Sequence, residues 1–437
     1  MAVSHYFDHA ATTPMLPAAL AGWVQYAGCT GNPSAIHGAG RAARRAVEEA
    51  REAIAEHLGV RASEVIFTSG GTEADNLAVL GIARAGRQAD SRRQTLLISP
   101  IEHHAVLDAA YHLVNEGFTV ITMPVDHDGR VDPVRSADLI RTHASTLALV
   151  SLMSVNNETG VIQPVQELAE LAHELSIPFH CDAVQGLPLV AARLGDGTRG
   201  GTMALSLSAH KIGGPMGVGA LVVPRGTPFI ATSFGGGQED RRRSGSVPVP
   251  LVQSFAQAVR EHPPLSHGDC PPDSNALWEW NHLAGLSERL DSILRGVGAE
   301  IVGDKAPRTP TITYALFPNC NGQDLVMMLE AHGIDVSTGS ACAAGTPQPS
   351  HVLLAMGYTA AQARSGLRFS LGWTSTDADL DALADALPPA VAQVTPPTPV
   401  TPPTPVETIQ CGVAPDDEAQ VRTESIQSGA GREGGTS

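Results

Sequence analysis

Short apolar runs alternate with helix-period segments along the first half of the chain. Residues 165–176 carry apolar side chains at spacings of three and four, which predicts a helix, and a similar stripe at residues 43–58 ends at Gly59. The predicted strands lie at residues 65–68, 95–99, 118–125, 146–154, 178–182, 203–207 and 220–223. This alternation predicts an α/β fold with a mostly parallel sheet, helices on both faces and a ligand crevice at the carboxyl ends of the strands.

The pattern changes beyond about residue 250. A proline-rich stretch at residues 262–272 interrupts two helical segments, and a strand-like run at 311–317 precedes a helix-like segment at 322–332. We therefore expect a large domain at residues 15–255 and a smaller α+β domain made of residues 1–14 and 256–388. A tandem VTPPTP repeat and polar, glycine-rich residues follow, which predicts a disordered tail over residues 389–437 because such a segment buries too little apolar surface.

Composition narrows the possible functions. The chain has 437 residues, and 45 acidic against 28 basic side chains give a net charge of −17, which argues against direct binding to nucleic acid or to an anionic membrane. The six cysteines form no C-x-x-C pair and have no zinc-ligand spacing, so we expect no metal site. The N-terminus lacks signal-peptide features and the longest apolar run is too short to cross a bilayer, which favours a soluble cytoplasmic protein.

Lysine is rare in this chain, and Lys211 and Lys305 are its only examples. Lys211 follows a predicted strand in the segment SLSAHKIGG, with Ser208 and His210 beside it. A lysine at a strand end can lose its proton and form a Schiff base with an aldehyde cofactor, which arginine cannot do. The alternative is an ordinary solvated lysine on the surface.

Asp182 lies at the carboxyl end of another predicted strand, in HCDAVQ. A carboxylate at this position is suited to keep a pyridinium nitrogen protonated, as pyridoxal phosphate requires when it acts as an electron sink. An N-cap of the following turn is an equally good interpretation of the same residue. Gln185 follows three residues later, where its amide is placed to reach a ring oxygen.

Two further segments complete the candidate site. In FTSGGTEADN a strand runs into a glycine turn, with a helix expected from Glu73, so that backbone N–H groups beside Gly71 and the Thr72 hydroxyl form an anion pocket suited to a phosphate. A purely steric glycine turn is the alternative. His103, in EHHAV, follows a third strand, where it is placed either to stack on a cofactor ring or to serve a structural role; we assign no role to His104.

Taken in order, these motifs resemble the cysteine desulfurases of the NifS/IscS type, which are class V aminotransferase-like enzymes. The resemblance spans residues 6 to 372. The matching segments are YFDHAATTP (6–14), GNPSAIH (31–37), FTSGGTEADN (67–76), EHHAV (102–106), SVNNETGVIQP (154–164), HCDAVQ (180–185), SAHKIGGP (208–215), GGGQE (235–239), RRSGS (242–246), STGSACAAG (337–345), PSHVL (349–353) and LRFSLG (367–372).

The resemblance implies a fold type I PLP-dependent transferase and a homodimer with shared active sites. It implies that the large domain binds pyridoxal 5'-phosphate and that the small domain carries the loop with the catalytic cysteine. By resemblance, Lys211 is the Schiff-base lysine, Asp182 the partner of the pyridinium nitrogen and His103 the acid/base that stacks on the ring. Arg368 binds the substrate carboxylate and Cys342 is the nucleophile. The remaining cofactor contacts are those to the phenolic oxygen, from Gln185 and Asn157, and those to the phosphate, from Gly71, Thr72, Ser208, His210 and Ser246 of the neighbouring subunit.

The resemblance also implies a reaction: L-cysteine becomes L-alanine while its sulfur passes to Cys342 as a persulfide. A sulfur-acceptor protein, either an iron–sulfur scaffold or a thiolation enzyme, would then receive that sulfur. Selenocysteine lyase and a desulfurase dedicated to DNA phosphorothioation are the alternatives within this chemistry. A catalytically idle scaffold is the alternative from another class, although the retention of Lys211, Asp182 and Cys342 argues against it.

Overall fold

The structure is a computed structural model, and it describes residues 4–187, 203–262, 275–339 and 348–395. These four ranges include all seven of the strands predicted for the central sheet. The loop with Cys342, most of the proline-rich stretch at 262–272 and the predicted tail beyond residue 395 lie outside the described residues.

Strands and helices alternate through most of these ranges. The strands are β1 (His5–Tyr6), β2 (Val65–Thr68), β3 (Thr95–Ile98), β4 (Thr119–Thr122), β5 (Leu147–Ser151), β6 (Phe179–Asp182), β7 (Ala204–Ser208), β8 (Gly219–Val222), β9 (Gly237–Gln238), β10 (Arg243–Ser244), β11 (Glu300–Ile301), β12 (Ile312–Leu316), β13 (Ile334–Asp335) and β14 (Gly366–Ser370). The helices are α1 (Pro17–Tyr26), α2 (Gly38–Leu58), α3 (Gly71–Ala89), α4 (His104–Val114), α5 (Pro133–Thr142), α6 (Val165–Glu174), α7 (Val249–Glu261), α8 (Asn275–Gly296), α9 (Gly322–Glu330), α10 (His351–Ala355), α11 (Ala360–Ala363) and α12 (Asp377–Val394). Within the described ranges, none of these helices combines the length and the apolar character that a membrane span requires.

Seven strands form the central sheet in the order β2-β8-β7-β6-β5-β3-β4. Only β8 runs antiparallel to its neighbours in this sheet, while the remaining strands are parallel to one another. Each of the seven strands overlaps one of the runs predicted from the sequence. The prediction of a mostly parallel sheet is therefore confirmed.

Alternate strand residues pack on opposite faces of this sheet, as the period of two requires. Phe67 and Leu207 belong to a core shared with α2, α6 and α7, while Ile66 belongs to a second core shared with α3 and α4. Helices therefore cover both faces. On β7, the residues that alternate with Leu207 are Ser206 and Ser208, which places both serines on the face that α3 covers.

Two glycines set the ends of neighbouring helices. Gly59 ends α2 in a left-handed conformation with φ of 66°, as its position after the apolar stripe predicts. α3 begins at Gly71, two residues before the expected start at Glu73. The earlier start adds the backbone N–H groups of Gly71 and Thr72 to the first turn of α3, where no intrahelical acceptor is available to them.

A three-stranded antiparallel sheet, β11-β12-β14, dominates the remaining part of the chain. The N-terminal residues lie beside it: Asp8 bridges to Ser370 of β14, and Phe7 packs edge-on against Phe369 with ring centroids 6.3 Å apart. β1 pairs with β13 in a separate two-stranded sheet. Residues 5–8 thus lie against strands from the other end of the sequence. The boundaries expected for the two domains stay predictions.

The last helix extends further than the sequence predicts. α12 continues through Pro388 and Pro389 to Val394, whereas the tail was expected to begin at residue 389. Leu387 and Ala390 are fully buried in a core shared with α8 and α9. The burial of these and the other core side chains of the helix favours it despite two prolines that each cost about 3 kcal/mol, so tertiary packing overrides the local signal.

Candidate active site

A cavity of about 380 Å³ opens at the carboxyl ends of the parallel strands, between the central sheet and β14. Its walls bring together ten of the residues singled out from the sequence. These are Gly71, Thr72, His103, Asn157, Asp182, Gln185, Ser208, His210, Lys211 and Arg368. They come from segments up to 297 positions apart in the sequence. Asp182, Ser208 and Lys211 meet because parallel strands end at one edge of the central sheet, and Arg368 reaches the cavity from β14 of the other sheet.

Lys211 projects into this cavity from a short 3-10 turn, Ala209–Lys211, that directly follows β7. Its Nζ donates to the carbonyl oxygen of Ala10 at 2.6 Å and to that of Ala11 at 2.9 Å. Burial lowers the pKa of the Lys211 ammonium to about 8, helped by the nearby Arg368 charge. The amine is therefore deprotonated far more readily than a surface lysine, as a nucleophilic amine requires.

Asp182 is the last residue of β6 and is buried. Its Oδ1 accepts a hydrogen bond from Val184 N at 2.9 Å, so it caps the following turn and also lines the cavity. Burial raises the pKa of Asp182 to about 6, while the Val184 hydrogen bond and the Lys211 charge oppose the rise. Gln185 lies nearby and donates from Nε2 to Ala10 O at 2.8 Å.

The turn from β2 into α3 forms one end of the cavity. A Cβ on Gly71 would lie 2.8 Å from Val184 Cγ2, so a larger residue would disturb the wall beside Asp182. The Ser208 hydroxyl faces this turn and is buried without a hydrogen-bond partner among the described residues. An unpaired buried hydroxyl is costly unless a ligand completes it. Together with the free N–H groups of α3, it forms a site for an oxyanion such as a phosphate.

His103 is the N-cap of α4, and its Nδ1 accepts from Ala105 N at 3.1 Å. Burial and the Lys211 charge lower the pKa of His103 to about 4, so the imidazole is neutral at physiological pH. Burial likewise lowers the pKa of His210 to about 4, and the Nδ1 of His210 lies 3.2 Å from Thr12 Oγ1. Both rings line the cavity as neutral groups able to donate and to accept.

Arg368 lies on β14 and is 5% exposed. Its Nη2 lies 2.7 Å from Asp8 Oδ1, and its Nη1 donates to Asn157 O at 2.9 Å. The Nε group is buried and has no partner among the described residues. The Nε–H group of this fixed guanidinium is therefore left for a carboxylate ligand.

One predicted residue, Ser246, is not brought into this cavity, and another, Cys342, is not described by the structure. Ser246 is exposed and is absent from the cavity wall, so a role here would require a second subunit. Cys342 lies outside the described residues, although Ser337 and Gly339, which precede its loop, line the cavity.

Sequence reasoning missed several groups at the site. Asp75, His104, Glu158 and His351 all line the cavity. His104 and His351 have ring centroids 4.6 Å apart, so His104 has more contacts at the site than its sequence position suggested. His351 belongs to the PSHVL segment, whose match was the available signal. The helix pattern of α3 gave no signal that Asp75 belongs to the site, because a carboxylate in the first two turns of a helix is ordinarily exposed.

The fold and the cavity together define a class of protein. Residues 5–383 match the family model described as aminotransferase class-V. The chain belongs to the class-V aminotransferase family.

Its relatives within that family are of the IscS/NifS-like type. The chain is 43% identical over 395 residues to an IscS-like cysteine desulfurase of Mycobacterium tuberculosis, a match that covers 89% of this chain and 96% of the relative. A solved structure described as a NifS-like protein is 32% identical with a TM-score of 0.78, covering 90% of this chain and all of the other. A structure described as SspA in complex with cysteine is 31% identical with a TM-score of 0.70, covering 84% and 98%.

Proposed function

We propose that this chain is a PLP-dependent cysteine desulfurase, which converts L-cysteine to L-alanine and transfers the sulfur to Cys342. The observation that carries the proposal is the meeting of Lys211, Asp182 and the unpaired Ser208 hydroxyl in one cavity. The names of the relatives support the reaction, and the likeness to a structure solved in complex with cysteine supports the substrate.

The residues present fit pyridoxal phosphate. Ser208, His210, Gly71 and Thr72 would hold the phosphate, because the α3 turn and the orphaned hydroxyl offer donors to an anion. Asp182 would pair with the ring nitrogen from the floor of the cavity. When bound, the cofactor supplies an aldehyde that reacts with amines and a ring that accepts electrons from the substrate's Cα.

Three further side chains would fix the orientation of the cofactor, since all of them line the same cavity. His103 would stack on the ring as a neutral imidazole and exchange a proton with the substrate. Gln185 and Asn157 would contact the phenolic oxygen.

The substrate is held and deprotonated by residues of this chain. Arg368 would bind the α-carboxylate through its free Nε–H group, while Asp8 and Asn157 O keep the guanidinium fixed. Lys211 is the base for the Cα proton, a task that its pKa of about 8 suits near neutral pH. The Cys342 thiolate attacks the substrate sulfur: an S–S bond forms, the C–S bond breaks, its electron pair stays on the carbon fragment, and protonation there yields alanine.

The persulfide on Cys342 would serve a sulfur-acceptor protein for iron–sulfur cluster assembly or thio-modification. A homodimer would complete each site with Ser246 of the neighbouring subunit. Its exposure outside its own cavity supports this role, as does the 86% exposure of Phe234 in the preceding segment.

The experiment is the measurement of alanine and sulfide release from L-cysteine in the presence of a reductant, with selenocysteine as a parallel substrate. Cys342→Ala and Lys211→Ala should each abolish sulfide release, while Cys29→Ala, which removes an exposed free thiol, should retain it. A Cys342→Ala enzyme with full desulfurase activity would overturn the persulfide route. A wild type that acts on selenocysteine alone would favour the lyase, and one that binds no PLP would refute the proposal.

A further inference from the structure

Two buried carboxyl groups of the cavity wall, Asp75 and Asp182, interact electrostatically with a third, Glu102, although the proposed chemistry uses only Asp182. Asp75, Glu102 and Asp182 are at most 5% exposed. One carboxyl oxygen of Asp75 and one of Glu102 have no hydrogen-bond partner among the described residues. Burying a carboxylate without a counter-ion is expensive, and Lys211 is the nearby cation whose charge favours ionisation of Asp182. The three groups are therefore not all ionised together.

Asp75 faces a row of polar side chains that crosses three neighbouring strands. His180 of β6 lies between two hydroxyls, with Nδ1 2.9 Å from Ser151 Oγ of β5 and Nε2 2.9 Å from Ser206 Oγ of β7. Asp75 reaches this row from α3, with its Oδ1 3.5 Å from His180 Nε2. Ser206 is also the direct cross-strand neighbour of Asp182. Ser206 thus lies beside Asp182 in the sheet and forms a hydrogen bond with Asp75.

The surroundings of Asp75 offer it no counter-ion among the described residues. His180 is fully buried, and burial lowers its pKa to about 3, so the ring is neutral. The pKa of the Asp75 carboxyl is raised well above its usual range by burial and then by the charge of Asp182, with a smaller contribution from Glu102; a hydrogen bond with Ser206 opposes the rise. Asp182 has both the Val184 N–H and Lys211 to stabilise its anion.

We propose that Asp75 stays a protonated carboxylic acid in the working enzyme and acts as a positioning residue. Together with Ser206 and His180, it keeps Asp182 as the ionised carboxylate that faces the cofactor's ring nitrogen. This inference rests on the proposed function. A neutral Asp75 supplies hydrogen-bonding capacity beside Asp182 without a second negative charge, which would draw the Asp182 proton back. Glu102 is held on its other side by Met153 N, at 2.7 Å from Oε1.

Infrared spectroscopy of the full-length, cofactor-loaded protein tests the protonation state directly. At pH 8 we expect a C=O stretching band of a protonated carboxylic acid that shifts when aspartate is labelled with ¹³C. The label separates Asp75 from Glu102, whose band would not move. Asp75→Asn should remove the label-sensitive band and Glu102→Gln should leave it. Absence of such a band from the wild type would overturn the proposal, and this measurement requires no variant to fold.

Cofactor affinity tests the positioning role. Asp75→Ala should weaken PLP binding about tenfold, which is the effect of one lost buried hydrogen bond. Asp75→Asn should bind PLP with nearly wild-type affinity, because the amide is neutral and of equal size. If Asp75→Asn binds PLP as weakly as Asp75→Ala, a negative charge on Asp75 is needed. If Asp75→Ala binds PLP with wild-type affinity, Asp75 has no positioning role. Either result overturns the proposal. Failure of the wild type to bind PLP would instead refute the proposed function, while the infrared band of the cofactor-free chain would still decide the state of Asp75.

Discussion

Asp8 and Arg368 form an ion pair at the wall of the cavity, with 2.7 Å between Asp8 Oδ1 and Arg368 Nη2. The two residues are 360 positions apart in the sequence, and the bridge between Asp8 and Ser370 of β14 brings them together. Asn157 O holds the other terminal nitrogen. The orientation of the guanidinium is thus set before any substrate arrives.

Asp8→Asn should therefore weaken substrate binding more than turnover. The amide keeps the size of the side chain but loses the charge that fixes Arg368, which costs about 1–3 kcal/mol and corresponds to a KM for cysteine raised by about 5- to 150-fold. Steady-state kinetics measure the split between KM and kcat. The matched control is Asp291→Asn, which breaks the 2.6 Å pair with Arg308 and removes no residue of the cavity wall. Equal KM values for Asp8→Asn and wild type would contradict this assignment.

Gly71→Ala should impair cofactor binding. The added methyl would lie 2.8 Å from Val184 Cγ2 and push the segment between Asp182 and Gln185 away from the cavity. Absorbance titration with PLP measures the expected loss of affinity. Gly86→Ala in the same helix provides the control, because its added Cβ meets only ordinary contacts at 3.7 Å or more. Since alanine is the better helix former by about 0.8–1 kcal/mol, Gly86→Ala should bind PLP normally and unfold no more easily than wild type.

Stability of the cofactor-free protein should rise between pH 8 and about pH 10.4 because of Lys211. The folded chain releases the Lys211 proton near pH 8, whereas an unfolded lysine releases it near about 10.4. Below pH 8 both states hold the proton and the folded state bears the full cost of the buried charge. Between the two values the unfolded state binds more protons, so the free energy of unfolding increases, by on the order of 3 kcal/mol in total.

Urea unfolding at pH 7.5 and pH 10 checks this expectation. The increase should be smaller by most of that amount in Lys211→Met, because methionine does not titrate. Lys305→Met, which changes the exposed second lysine, should keep the wild-type increase. Parallel curves for wild type and Lys211→Met would refute the assignment.

Leu387→Ala should destabilise the fold by about 2–5 kcal/mol. Leu387 is fully buried in the part of α12 that carries the two prolines, so truncation removes apolar contacts and leaves a cavity. Chemical denaturation measures the loss. Leu354→Ala, at a position that is 43% exposed, should cost much less. A small effect of Leu387→Ala would mean that this end of α12 contributes little to the core.

Local patterns predicted the strands of the central sheet because each is a short apolar run bounded by turn residues. Because ligands bind at the carboxyl ends of parallel strands, Asp182, Ser208 and Lys211 could be predicted to share a site without any distance being known. The same reasoning could not find Asp8 or the Ala10 and Ala11 carbonyls, because their partners lie about 200 or more positions away and a carbonyl has no sequence signature. The prediction of where α12 ends was wrong for a related reason. Pro388 is a local stop signal, and only the buried neighbours of Leu387 show that the helix continues.

The contact between Lys211 and the first residues of the chain has a consequence for biosynthesis. The ribosome makes Ala10 and Ala11 early, yet the N-terminal segment is held by Ser370, whose N donates to Phe7 O and whose hydroxyl accepts from Ala10 N. The contacts of this segment with Gln185 and His210 can form earlier, whereas its hydrogen bonds to Ser370 form only after β14 has left the exit tunnel. A nascent chain that has already folded its central sheet still lacks the ion pair between Asp8 and Arg368, and translation stalled before residue 366 leaves that pair unmade.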